Sequence, residues 1–152
     1  MIMHMLDLVF ENHTSDRTWT EEFFNNIIGQ ALHHLKLGDK KVEMGLQLIG
    51  PEKSRELNNR YRQKDRPTDV LSFPLEDDTL KKYDILPLGD VFICLSVAKR
   101  QAEEMKIPIG QELARLAVHG LLHLLGYDHE RSTAEEKKML DLQEKIIQSL
   151  NP

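Results

Sequence analysis

Cys94 is the only cysteine in 152 residues, so no internal disulfide holds this chain together. It lies in the apolar run Val91-Phe92-Ile93-Cys94-Leu95, the setting of a buried, inert thiol rather than of a nucleophile. No stretch approaches the roughly 18 consecutive apolar residues that a membrane helix needs. The first ten residues are too short, and too interrupted by His4 and Asp7, for a secretory signal. Repeats, low-complexity tracts and an interdomain linker are missing as well. With these absences the chain reads as a single domain, residues 1–152, long enough to bury a core without staples, and its expected location is the cytoplasm.

A strong charge of one sign is lacking too. The formal charge of −5 argues against indiscriminate nucleic-acid binding, which is mostly phosphate neutralisation by Lys and Arg. Distribution matters more than the sum, however. Residues 53–66 carry six basic side chains (Lys53, Arg55, Arg60, Arg62, Lys64, Arg66) against two acidic ones (Glu56, Asp65). A solvated helix face with a charged turn accounts for many such clusters; an anion site is the functional alternative.

What is present is a succession of short periodic segments. Ile2, Leu6, Leu8 and Phe10 share one parity and predict a strand running into a polar loop at residues 11–17. Thr18 or Thr20 then caps a helix whose Phe23, Phe24, Ile27, Ile28, Ala31, Leu32 and Leu35 repeat at three-and-four spacing until Gly38. His33 and His34 close that helix, where the dipole and exposed carbonyls explain them without a metal. Val42, Met44, Leu46 and Leu48 alternate as a half-buried strand, ended by Gly50-Pro51. A short helix follows to about Tyr61, then a loop and a short or edge strand at residues 70–73, stopped by Pro74. Residues 77–87 read as an exposed connection and residues 88–95 as a buried strand. Ser96 is the expected cap of a helix to about Met105, and Pro108 separates it from another that ends at Gly126. Ser132 with Glu135 forms a capping box for the last helix, which buries Met139, Leu142 and Ile146. Strands and helices without strict alternation predict α+β, with about four strands in a small mixed sheet and about five helices.

The chemistry concentrates at residues 116–129. His119 and His123 are one helical turn apart, about 40° around the axis and 6 Å along it, so both imidazoles can meet one ion. His129 would lie about 15 Å up the axis and off that face if the helix continued. Gly126 supplies the remedy, because a glycine past the last apolar turn takes the left-handed conformation and turns the chain back. Three imidazoles without thiolates suit one Zn²⁺, although other divalent metals would also bind. Three protein ligands leave a tetrahedral position open, the mark of a catalytic site in which zinc acidifies water. Asp128 beside the last ligand is either a turn residue or an orienting group. Arg115, one turn before His119, is either an exposed residue at the helix start or a neighbour of the site.

The spacing His-x-x-x-His-x-x-Gly-x-x-His is also that of metzincin metalloproteases, in which a Glu general base follows the first His. Here that position is Gly120, which cannot move a proton, so a peptidase lacks a contribution commonly worth 10²–10⁴-fold. Attack on a phosphodiester instead adds negative charge to oxygens that are already anionic. Cations are then needed beside the metal, and arginine pairs two phosphate oxygens best.

The run His119-Gly120-Leu121-Leu122-His123-Leu124-Leu125-Gly126-Tyr127-Asp128-His129 resembles the signature of the YbeY family of bacterial metal-dependent endoribonucleases. Residues 57–74, LNNRYRQKDRPTDVLSFP, resemble its second motif, and element order and length match over nearly the whole chain. The resemblance implies a small α+β fold with a metalloprotease-like site, one Zn²⁺ on His119, His123 and His129, and Arg62 as the functional arginine. It also implies single-stranded RNA as substrate, in maturation of the 16S rRNA 3′ end and ribosome quality control, with ribosomal RNA and ribosomal particles as partners and no DNA or membrane. Lys64 and Arg66 stand at motif positions without an assigned role and, with Asp128 and Arg115, are candidates for RNA contact or support of the site. The 2′-hydroxyl and a zinc-activated water both remain available as nucleophile. Two rival readings are a zinc hydrolase of peptides or small molecules, and a non-catalytic ribosome assembly factor with a structural zinc.

Overall fold

A computed structural model describes residues 6–75, 84–128 and 132–150. Among them the elements run β1 (Leu6–Asn12), α1 (Glu21–His34), β2 (Lys41–Ile49), α2 (Pro51–Arg62), β3 (Val70–Pro74), β4 (Ile85–Cys94), α3 (Leu95–Met105), α4 (Ile109–Leu124) and α5 (Thr133–Ser149). The α+β class, the mixed four-stranded sheet and the five helices match the expectation. The sheet order is β1-β2-β4-β3; β1 with β2 and β2 with β4 are parallel, whereas β3 runs antiparallel to β4 and occupies one edge.

Strand alternation divides the sheet into two faces. Val42, Met44, Leu46 and Leu48 of β2, with Val91 and Ile93 of β4, point into the main core with α1, α4 and α5. On the opposite face Ile49, Leu57 and Leu71 form a smaller cluster, joined by Phe73 and Phe92, that seats α2. At the centre is α4, with Leu113, Leu116, Ala117, Val118, Leu121 and Leu122 all at 1% exposure or less. A helix apolar around most of its circumference has to be surrounded, and α4 touches α1, α3, α5, β3 and β4.

Most of the local signals act in the structure as their sequence implies. Thr20 caps α1 by accepting from the Phe23 N–H, Ser132 caps α5 by accepting from that of Glu135, and Pro51 opens α2 behind Gly50. His33 and His34 sit in the last turn of α1. Cys94 is buried, with its Sγ 3.5 Å from the Ser96 hydroxyl. Four boundaries differ. β1 continues to Asn12, through the start of the expected loop, because its ladder with β2 extends to the pair Asn12–Leu48. Lys36 at φ 62°, not Gly38, takes the left-handed turn after α1, so the helix stops earlier. α3 begins at Leu95 behind Cys94, with no side-chain cap; Ser96 is already helical. β4 starts earlier, at Ile85. Ile2 and residues 77–83 of the expected connection lie outside the described residues. No helix among the described residues is long and apolar enough to cross a membrane.

Gly120 allows α4 to lie directly on the sheet. A Cβ there would stand 2.7 Å from Val91 Cγ1 and 3.0 Å from Val91 Cγ2, and the Gly120 carbonyl accepts from the Ser72 hydroxyl at 3.3 Å. Val91 is fully buried and cannot swing away. Gly120→Ala should therefore cost about 1–3 kcal/mol by overpacking, read from urea denaturation, and Val91→Ala in the same chain should recover part of it. An unchanged midpoint would show that the contact is slack.

Candidate active site

His119 and His123 project from the same face of α4, one turn apart. Their Nε2 atoms approach to 3.2 Å, with the rings inclined at 68°. Two nitrogens bound to one tetrahedral zinc at about 2.0–2.1 Å are separated by about 3.3 Å, so the pair is already spaced for a shared ion. Behind His119, Gln143 of α5, 4% exposed, places Oε1 2.6 Å from Nδ1. An amide oxygen only accepts, so this contact is a hydrogen bond when Nδ1 carries the proton, the tautomer that leaves the Nε2 lone pair facing His123. The donor chemistry fits zinc.

α4 ends in a Schellman motif. The Gly126 N–H donates to the His123 carbonyl and the Tyr127 N–H to that of Leu122, both at 3.0 Å, with Gly126 at φ +100°. The turn-back inferred from Gly126 is thus present. The third expected ligand, His129, lies outside the described residues, and among the described ones no group of three or more His, Cys, Asp or Glu forms a metal cluster.

The two histidines open on a cleft of about 690 Å³ that Arg62, Tyr61, Thr68, Asp69 and Asp128 also line, with β3 along it. Among the described residues β3 pairs only with β4. The alternation of that ladder, with Asp69 O accepting from Cys94 N and Leu75 N donating to Leu88 O, turns the Ser72 N–H and C=O to the cleft side. Arg62 is the last residue of α2, and Tyr61 beside it is 53% exposed. The Tyr61 ring meets Phe73 edge-on at 5.0 Å, Phe73 meets Phe92 at 5.6 Å, and the Arg60 guanidinium lies 5.4 Å from the Tyr61 centroid.

The loop between Arg62 and β3 is tied down from the buried face of α2. The Ser54 hydroxyl donates to the Thr68 carbonyl and accepts from the Thr68 N–H, both at 2.9 Å. Asn58 Nδ2 donates to the Arg66 carbonyl at 2.8 Å. Arg55 grips Asp65 with both arms of its fork, at 2.7 and 3.0 Å, which holds that carboxyl below its ordinary pKa. Lys53 pairs with Glu56, so the remaining basic residues, Arg60, Arg62, Lys64 and Arg66, cluster at the C-terminal end of α2 and in the loop beyond it.

Of the other candidates, Asp128 reaches the cleft wall, whereas Lys64 and Arg66 are exposed on the loop without lining it. Arg115 is not among the lining residues; its fork closes on the fully buried Glu112 at 2.7 and 2.6 Å, and this contact raises its pKa above the usual guanidinium value. That pairing takes up the geometry a phosphate would use.

Comparison with known proteins identifies the family. The family model described as "Endoribonuclease YbeY" matches residues 9–151. The chain belongs to the YbeY endoribonuclease family. Relatives named Endoribonuclease YbeY include one from Persephonella marina, 42% identical over 94% of this chain and 92% of its own length. Another, from Sulfurihydrogenibium sp., is 47% identical over 86% and 84%. A solution structure of a Thermotoga maritima protein superposes with a TM-score of 0.64 at 27% identity, covering 95% of this chain and 89% of that one.

Four residues of this YbeY-family site have no role assigned from the sequence: Ser54, Asn58, Tyr61 and Gln143. Ser54 and Asn58 flank Leu57 on the buried face of α2, and Gln143 falls between Met139 and Ile146 on the buried stripe of α5. A polar residue at an apolar position of a helical stripe was the available signal. Asn58→Leu keeps the branched side-chain shape but removes the donor to the Arg66 carbonyl. It should lower stability by about 1–3 kcal/mol in urea denaturation and speed amide exchange across residues 63–69. Unaltered exchange in that loop would show that Asn58 does not anchor it.

Proposed function

We propose that this chain is a single-strand-specific, zinc-dependent endoribonuclease whose substrates are ribosomal RNA and ribosomal particles, acting at the 3′ end of 16S rRNA and in ribosome quality control. The observation that carries this reading is the convergence of Arg62 and the His119–His123 pair on one cleft. His119, His123 and His129 are the residues that would hold the ion; zinc supplies Lewis acidity at a phosphate oxygen or an attacking water. Arg62, on the cleft wall, neutralises charge that develops on the in-line transition state. Tyr61, exposed beside it, offers a face for a base only when that base is unstacked, which favours single strands over duplex. The attacking group is the 2′-hydroxyl or a water, and the end groups of the products separate the two.

The β3 edge gives the peptidase alternative its one favourable observation, since an extended peptide could pair with it. Gly120 weighs against it. The position that carries the base in metzincins faces Val91 and the sheet, so a side chain there would collide with the core rather than enter the cleft.

Arg62→Glu should lower cleavage of single-stranded RNA by about 10²-fold or more while zinc content stays at that of the wild type. His123→Ala should lose both metal and cleavage. The measurement is metal analysis beside RNA cleavage, with all proteins prepared identically. Equal cleavage by wild type and His123→Ala would identify a contaminating nuclease and remove the enzymatic reading. RNA binding without cleavage by pure wild type would favour an assembly factor with structural zinc.

A further inference from the structure

Gln143 is a polar side chain at a position where the pattern of α5 calls for an apolar one. It stands four residues after Met139 and three before Ile146, both fully buried, and is itself 4% exposed. Burying an amide costs about 1–3 kcal/mol unless it is paired. Its oxygen is paired with one group, Nδ1 of His119, at 2.6 Å. Gln143 is not among the cleft-lining residues, so it acts on the site through that histidine.

We infer that Gln143 is a positioning residue for the metal: by accepting from Nδ1–H it holds His119 in the tautomer and ring orientation that turn Nε2 toward the ion. This rests on the zinc reading above. The acceptor is a neutral amide where many metal-binding histidines lean on a carboxylate, so it orients the imidazole without placing negative charge behind it. The cost of burying a polar group in α5 is thereby converted into a preset Nε2 lone pair, 3.2 Å from that of His123.

The test uses the full chain as wild type, Gln143→Leu and Gln143→Glu. Zinc affinity is measured by competition with a chromophoric chelator, folding of each metal-free protein by circular dichroism, and the His119 tautomer by long-range ¹H–¹⁵N correlation of metal-free wild type at mildly alkaline pH. The expected result is Nδ1–H on His119, zinc binding about 10–100-fold weaker in folded Gln143→Leu, and Gln143→Glu, which keeps an acceptor, binding at least as tightly as wild type. An Nε2–H tautomer in the wild type overturns the inference. So does zinc affinity in folded Gln143→Leu within about twofold of wild type. If Gln143→Leu fails to fold, the tautomer and Gln143→Glu decide, and weaker zinc binding by Gln143→Glu overturns the inference. A wild type that takes up no zinc sinks the metal reading as well, whereas equal affinity in wild type and Gln143→Leu sinks this inference alone.

Discussion

The missing Cβ at Gly120 lets the α4 backbone rest on Val91 and accept a hydrogen bond from Ser72, and the rest of the site is built on that contact. A helix raised by even a methyl group would lift His119 away from β3. The same closeness decides the chemistry. In the metzincin arrangement the residue after the first ligand carries the general base; here it is turned into the sheet, where there is no room for a side chain. Packing, and not only the choice of amino acid, removes a carboxylate from that place.

The edge strand performs the second part of the assembly. β3 shows Ser72 to α4 and turns Leu71 and Phe73 to α2, so helices on opposite faces of the sheet meet at the edge that β3 forms. α2 contributes Arg62 and Tyr61 from one side, and α4 contributes His119 and His123 from the other. Ser54 and Asn58 clamp the loop that leads into β3, so the arginine is carried on a helix end whose following residues are tied down. Arg55 and Lys53 spend their charge on neighbouring carboxylates, and Arg115 spends its own on Glu112. The basic segment that reads as uniform in one dimension is sorted by the fold into side chains along α2 and a cluster at its C-terminal end.

Much of this was legible beforehand. The four-residue spacing of His119 and His123, the left-handed turn at Gly126 and the side-chain cap at Ser132 are properties of a few consecutive residues, and each appears as expected. The element types follow from periodicity for the same reason. Two of the boundaries that differ are places where a more distant contact outweighed a local signal. Ladder bonds to β2 carry β1 on to Asn12, and the buried chain around Cys94 starts α3 before Ser96 can cap it.

By itself the sequence determined that His119 and His123 share one helix face, the helix stop behind them and the concentration of arginines at residues 53–66, because helical spacing, glycine conformation and charge density are short-range properties. Only the tertiary structure decided that Arg62 shares a cleft with the histidines, that Arg115 belongs to Glu112, and that a glutamine from α5 meets Nδ1 of His119. Those relations join residues far apart in the chain. They exist because α4, apolar on nearly every side, must be surrounded, and surrounding it brings β3 and α5 to the same two imidazoles.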